Sequence, residues 1–233
     1  VQGRTVQLEK RATITHQSKD GLLSYDPEEL WDLIHGMLKR IVSVVVPCEL
    51  TVIGIASMAE AGLLVDRKTG QAKTELVPWY DKRTMKQYSR LCQEGDVRSL
   101  FGKTGLYPSY KYGLAKILWF REAESSLLKD AIWLSAADYI AYRLTGKFGT
   151  DHTLAARTYA YRIDQKKWDQ EWLATFGLTE ELFPEVKASG SPLGEVRAEL
   201  GLPSGLKVAV AGHDHLCAAL AVGAVEPGVV FDS

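Results

Sequence analysis

Along this chain the hydrophobic positions follow two rhythms, one of two residues and one of three to four. VQLEKRATITH (6–16) alternates as a strand does. SYDPEELWDLIHGMLKRIVSVV (24–45) repeats at helical spacing, with Leu30, Ile34, Leu38 and Ile41 on one face. That helix carries its own start signal: Asp26 as N-cap, Pro27 at the first helical position, and Glu29 placed to complete a capping box. ELTVIGIAS (49–57) reads as a buried strand, and GLLVD (62–66) and TELVPW (74–79) as two more, joined by the turn RKTG. Helical spacing returns in RTMKQYSRLCQEG (83–95), stopped by Gly95, and in GLAKILWFREAE (113–124). SAADYIAYRLTG (135–146) follows, capped by Ser135 and stopped by Gly146, and then KKWDQEWLATFG (166–177). The last unit is the strand LKVAVAG (206–212) with a helix of small residues behind it. Strands first, helices in the middle and a strand–helix unit at the end predict a mixed α/β fold. No internal repeat or low-complexity segment interrupts it.

Composition changes this picture little. The chain has 233 residues, 46% hydrophobic and 24% charged, with a net charge of −1, so it is an ordinary globular sequence. No basic run or block suggests nucleic acid or an anionic membrane surface. The longest apolar stretches, such as IVSVVVP, are too short to span a bilayer, and the opening residues lack the apolar segment of a signal peptide. Cys48, Cys92 and Cys217 show neither pairing nor metal-site spacing, which predicts reduced thiols and a cytoplasmic setting. The chain starts without Met in what reads as a strand already under way, and GVVFDS ends it inside another strand-like run. Both ends predict a domain truncated on either side.

Candidate chemistry gathers where strands end, since ligands of α/β folds sit beyond the carboxyl ends of their strands. IGIASMAEAG leaves such an end with Glu60, and VAVAGHDHL leaves another with Asp214. A third loop, VPWYDKRT, carries Trp79, Asp81, Lys82 and Arg83. Carboxylates converging on strand ends suit a polyhydroxylated ligand, because each accepts several hydroxyl hydrogen bonds. Trp79 offers an apolar face for the C–H side of such a ligand. Each residue also has a plainer reading. An aspartate before a helix serves as an N-cap, a glutamate in a turn is solvated, and a tryptophan fills a core. His213 and His215 share a face at i and i+2, but no third ligand stands at a recognisable spacing, so no metal site is assigned.

Taken together, four stretches resemble the FGGY family of carbohydrate kinases. GHDHLCAALAVGAVEPG is similar to that family's GGHDxxxAAxGxGxxxxG signature. WLSAADYIAYRLTGKFGTDHTLAART is similar to its helix ending in RLTG followed by a (T/S)D-x-(S/T)-x-A run. IGIASMAEAGLLVDRKTGQAKTELVPWYDKRT resembles its strand–loop–strand block ending in W-x-D-x-R, and SYDPEELW its helix start. The four occur in the family's order, from about residue 20 onward.

The resemblance implies a ribonuclease H-like (actin-like ATPase) domain, a mixed sheet flanked by helices. Residues 1–233 would form one sugar-binding domain, with the ATP-binding domain outside the chain. It implies ATP-dependent phosphorylation of a sugar or polyol hydroxyl. Asp214 would be the catalytic base at a helix start that favours negative charge, and Glu60, Trp79, Tyr110 and Asp214 would contact substrate. Asp81 and Arg83 would be structural support. Ala59 stands where the glycerol kinase pattern has Arg, which points from glycerol toward a longer polyol or a pentulose. ATP and Mg2+ would be held mainly outside this chain, since no glycine-rich phosphate loop occurs within it. The expected partner is a small sugar or polyol, with no nucleic acid and no membrane; a homodimer is left open. The alternative is a non-catalytic sugar-binding or regulatory module on the same fold.

Overall fold

The computed structural model describes residues 5–45, 50–226 and 228. Cys48 and the strand-like run after Gly228 lie outside the described residues. A short pair, β1 (His16–Gln17) and β2 (Leu23–Ser24), leads into α1 (Pro27–Val44). Then come β3 (Val52–Ser57), β4 (Gly62–Asp66), α2 (Met85–Glu94), α3 (Val97–Thr104) and α4 (Gly113–Ala123). β5 (Ala131–Ser135) runs directly into α5 (Ala136–Thr145), and β6 (Thr150–Asp151) into α6 (His152–Ala156). A small pair, β7 (Tyr161–Arg162) and β8 (Lys167–Trp168), precedes α7 (Gln170–Thr175). The chain continues through β9 (Val186–Lys187) and β10 (Pro192–Glu195) to β11 (Lys207–His213) and α8 (Asp214–Ala221). The fold is mixed α/β, and none of its described helices is long and apolar enough to cross a membrane.

Its central sheet has the order β10–β11–β3, with β10 antiparallel and β3 parallel to β11. A second pair, β4–β5, is antiparallel and buried on both faces, which is why GLLVD and AIWLS read as unbroken apolar runs. Alternation along these two strands divides the interior. Leu63, Val65, Ile132 and Leu134 enter one apolar cluster with α1, α5 and β11. Leu64, Ala131 and Trp133 enter another with α4, Trp168 and Trp172.

Local signals set most helix ends. Asp26 caps α1 by accepting the Glu28 and Glu29 amides, with Pro27 next. Ser135 and Asp138 form a reciprocal capping box on α5, which Gly146 ends in the left-handed region at φ 72°. Other expectations need correction. Glu29 does not close a capping box; its carboxylate meets His16 Nε2 at 2.5 Å. On α1, Val42 rather than Ile41 joins the core, and Trp31 is buried beside it. Of residues 6–16 only His16 is in a strand, because alternation selects a face but pairing needs a partner. TELVPW makes only isolated bridges, Tyr25 to Leu76 and Gly62 to Val77. The predicted helix 166–177 shrinks to Gln170–Thr175, since Lys167 and Trp168 pair with β7 and Asp169 caps what remains. α3 was not expected; Asp96 caps it and Gly105 ends it at φ 72°.

Candidate active site

β3 and β11 are adjacent and parallel, with His213 in register with Ser57, so their carboxyl ends emerge together. Three residues past Ser57 comes Glu60, and the residue after His213 is Asp214. The two acidic loops chosen from the sequence are therefore brought side by side. Asp214 is not an N-cap. His213 holds that position, and Asp214 is the first residue of α8, with its side chain 47% exposed. Its Oδ1 accepts the His215 amide at 2.8 Å and lies 3.3 Å from His213 Nε2. Burial pushes the His213 imidazole below its ordinary pKa, although the Glu60 and Asp214 carboxylates pull the other way. The two imidazoles stack at 5.0 Å, and the donor atoms of His213, Asp214 and His215 lie within 4.8 Å of one another.

The TDHT run is what seats this turn. Asp151, itself buried, accepts the Thr153 and Leu154 amides and the Thr153 and Ser189 hydroxyls. Thr153 Oγ1 in turn accepts the His213 amide at 2.8 Å. Between them the ladder of β11 with β3 shifts register, and Gly212 takes φ +126°. A Cβ there would stand 2.6 Å from Thr153 Oγ1 and 3.0 Å from Asp151 Oδ2, so only glycine lets the strand approach so closely. The sequence motif acts here as a clamp on the backbone that presents Asp214.

Glu60 is buried and does not stand alone: Arg157 Nε donates to its Oε1 at 2.8 Å, and Nη2 donates to the same oxygen. The Arg157 guanidinium lies over the Tyr112 ring, 5.3 Å from its centroid. Arg157 escaped the sequence reading because its partner is 97 residues away. Trp79 is 40% exposed, so it does not serve as core. The Lys111 ammonium sits 4.8 Å above the Trp79 ring. Tyr110 lies half-buried in the loop before α4, its carbonyl accepting from Thr84 Oγ1 at 2.6 Å.

Asp81 and Arg83 form the buried floor of the tryptophan loop. Asp81 accepts the Leu23 amide at 2.6 Å and Arg83 Nε at 2.8 Å, and Arg83 also reaches Glu75 and the Leu23 carbonyl. Burial alone would raise the Asp81 pKa, but hydrogen bonds from Arg83 and Leu23 hold it below the ordinary value.

Known proteins bear on this arrangement. The pattern of the FGGY family of carbohydrate kinases, N-terminal domain, matches residues 1–221. A glycerol kinase of Thermococcus gammatolerans is 29% identical over 225 residues, 92% of this chain and 44% of its own length. A glycerol kinase of Gluconobacter oxydans is 30% identical over 220 residues, 90% of this chain and 42% of its own. The chain thus spans less than half the length of these curated relatives. Among solved structures, a xylulose kinase from Rhodospirillum rubrum superposes with a TM-score of 0.88 at 24% identity, over 98% of this chain and 49% of that one. Plasmodium falciparum glycerol kinase with ADP superposes at 0.82 and 22% identity, over 93% and 45%. These likenesses carry the fold, and the family match covers nearly all of the sequence: the chain belongs to the FGGY family of carbohydrate kinases, as its N-terminal domain.

Proposed function

We propose that this chain forms the sugar or polyol site and supplies the general base of an ATP-dependent carbohydrate kinase. One observation carries the reading: an exposed aspartate opens a helix beside a buried glutamate, both at the carboxyl ends of adjacent parallel strands. A substrate hydroxyl hydrogen-bonded to Asp214 gives its proton to that carboxylate as its oxygen attacks. His213, held neutral by burial, orients the carboxylate without neutralising it. Glu60, fixed by Arg157, keeps an oxygen for a second hydroxyl, and Trp79 backs the C–H face of the ligand. Mg–ATP, when bound, supplies the phosphoryl group. The described residues fit it only through Asp214 and the start of α8, and they include no glycine-rich phosphate loop.

Ala59, standing where the glycerol kinase pattern has Arg, favours a longer polyol or pentulose over glycerol. A cytoplasmic setting goes with free thiols at Cys92 and Cys217. The test is a coupled ADP-release assay on the full-length protein with glycerol, pentitols, pentuloses and hexuloses. Phosphorylation of at least one supports the reading. Saturable sugar binding by calorimetry with no turnover of any would replace it with a non-catalytic sugar-binding module.

A further inference from the structure

One charged side chain in this region has no role in the chemistry above. Lys116 interrupts the apolar face of α4 and is wholly buried, with 0% of its surface exposed. A buried ammonium is costly unless it is held by acceptors and opposing charge. Here Nζ donates to the Lys111 carbonyl. Glu60 and Asp81 lie within electrostatic reach as favourable partners, and Arg83 as an unfavourable one. The carbonyl it holds belongs to the residue whose own ammonium covers Trp79. The next residue, Tyr112, packs under the Arg157 guanidinium that fixes Glu60.

We propose that Lys116 is a positioning residue for the sugar site, joining the Lys111–Tyr112 turn to the Glu60 and Asp81 loops so that Trp79 and Glu60 face the substrate together. It touches no reacting atom. Its removal therefore acts on sugar binding and leaves proton transfer at Asp214 largely intact. Burial lowers the amine to about pKa 7, against the pull of Glu60 and Asp81, so the charge that links these loops is present below neutrality and fades above it. Arg83, paired with Asp81, and Arg157, paired with Glu60, also face this point, and neither guanidinium titrates in that range; the His213 imidazole, which feels Glu60, is held by burial below its ordinary value and titrates under neutrality, apart from the step assigned to Lys116.

The inference rests on the kinase reading, and the experiment separates the two. Wild-type full-length protein, Lys116→Met and Lys116→Gln are assayed from pH 6 to 8.5 on the best sugar of the panel, with melting temperatures recorded. The wild-type KM for sugar should rise about threefold or more across neutrality while kcat moves less. Lys116→Met should raise KM about tenfold at pH 6, hold kcat within about threefold, and remove the rise of KM across neutrality. Lys116→Gln, which keeps a donor without the charge, should also lose that rise. A folded Lys116→Met with wild-type KM and pH profile overturns the proposal. If that variant does not fold, a wild-type KM that is flat across the range overturns it equally. Absence of turnover on every sugar defeats the kinase reading itself and this inference with it.

Discussion

Replacing Thr153 by valine removes one hydroxyl and almost nothing else, yet that hydroxyl serves two partners. It accepts the His213 amide at 2.8 Å and donates to the Asp151 carboxylate at 2.8 Å. In Thr153→Val the half-buried His213 amide loses its acceptor, which costs about 1–3 kcal/mol. Asp151 keeps the Thr153 and Leu154 amides and the Ser189 hydroxyl, so its loss is the smaller part. Together these should lower stability by about 3 kcal/mol, on the order of 6–12 °C in Tm for a chain of this size. Thr153→Ser, which keeps the hydroxyl, should remain within about 1 kcal/mol of wild type. The same bond seats the residue before Asp214, and a base displaced by an ångström can lose about a hundredfold in rate. Thr153→Val should therefore also show a kcat at least about tenfold below that of Thr153→Ser, measured in the coupled assay beside urea denaturation. If valine and serine variants agree within about 0.5 kcal/mol and share one kcat, the clamp described for the TDHT run does not exist.

Further outcomes follow from other parts of the site. Asp214→Asn should reduce kcat at least about a hundredfold with little change in Tm, because a general base contributes that much and this one is half exposed; a tenth of wild-type kcat remaining would refute the assignment. Glu60→Ala should raise the sugar KM and weaken discrimination against a deoxy analogue, whereas Arg157→Met, leaving a buried carboxylate unpaired, should cost about 3–5 kcal/mol of stability in a melt. Asp138 is fully buried, and burial raises its pKa to about 7, so its carboxyl is favoured protonated in the fold. Its favourable contribution holds below the unfolded value near 4 and disappears as pH rises to about 7. Asp138→Asn should gain on wild type across that window by at most about 4 kcal/mol, read from denaturation at pH 4.5 and 8.

What the sequence conveys about this molecule depends on how far apart the interacting residues stand. The start of α1 and both ends of α5 are written within one or two turns of chain, so Asp26, Pro27, Ser135 and Gly146 could be assigned from spacing alone. The two acidic loops were also readable, because an apolar strand running into a carboxylate is a local contrast. Pairing is a different matter. Nothing near Glu60 announces Arg157, and nothing near residues 6–16 tells which of them will find a partner strand. The exposure of Trp79 likewise depends on how the loop before α4 folds over it, with Lys111 on its face. Lys116 did carry a signal, a single charge within GLAKILWF, and such an interruption of a buried face marks a residue whose partners need finding.

The parallel pairing of β3 with β11 has a consequence in time as well as in space. About 150 residues separate the two strands, and the proposed base follows the second of them directly. At roughly 5–20 residues per second, β3 leaves the ribosome about eight to thirty seconds before its neighbour exists. Both apolar clusters can begin to condense around β4 and β5 in that interval, but the acidic loop carrying Glu60 has nothing to face. Non-local contacts of this kind are slow to form, since loop closure must come before any contact rewards it. A nascent or partly folded chain should therefore hide much of its apolar surface while remaining blind to sugar, and ligand should stabilise only the finished form. Adding substrate during synthesis would then protect late intermediates from proteolysis and leave early ones untouched.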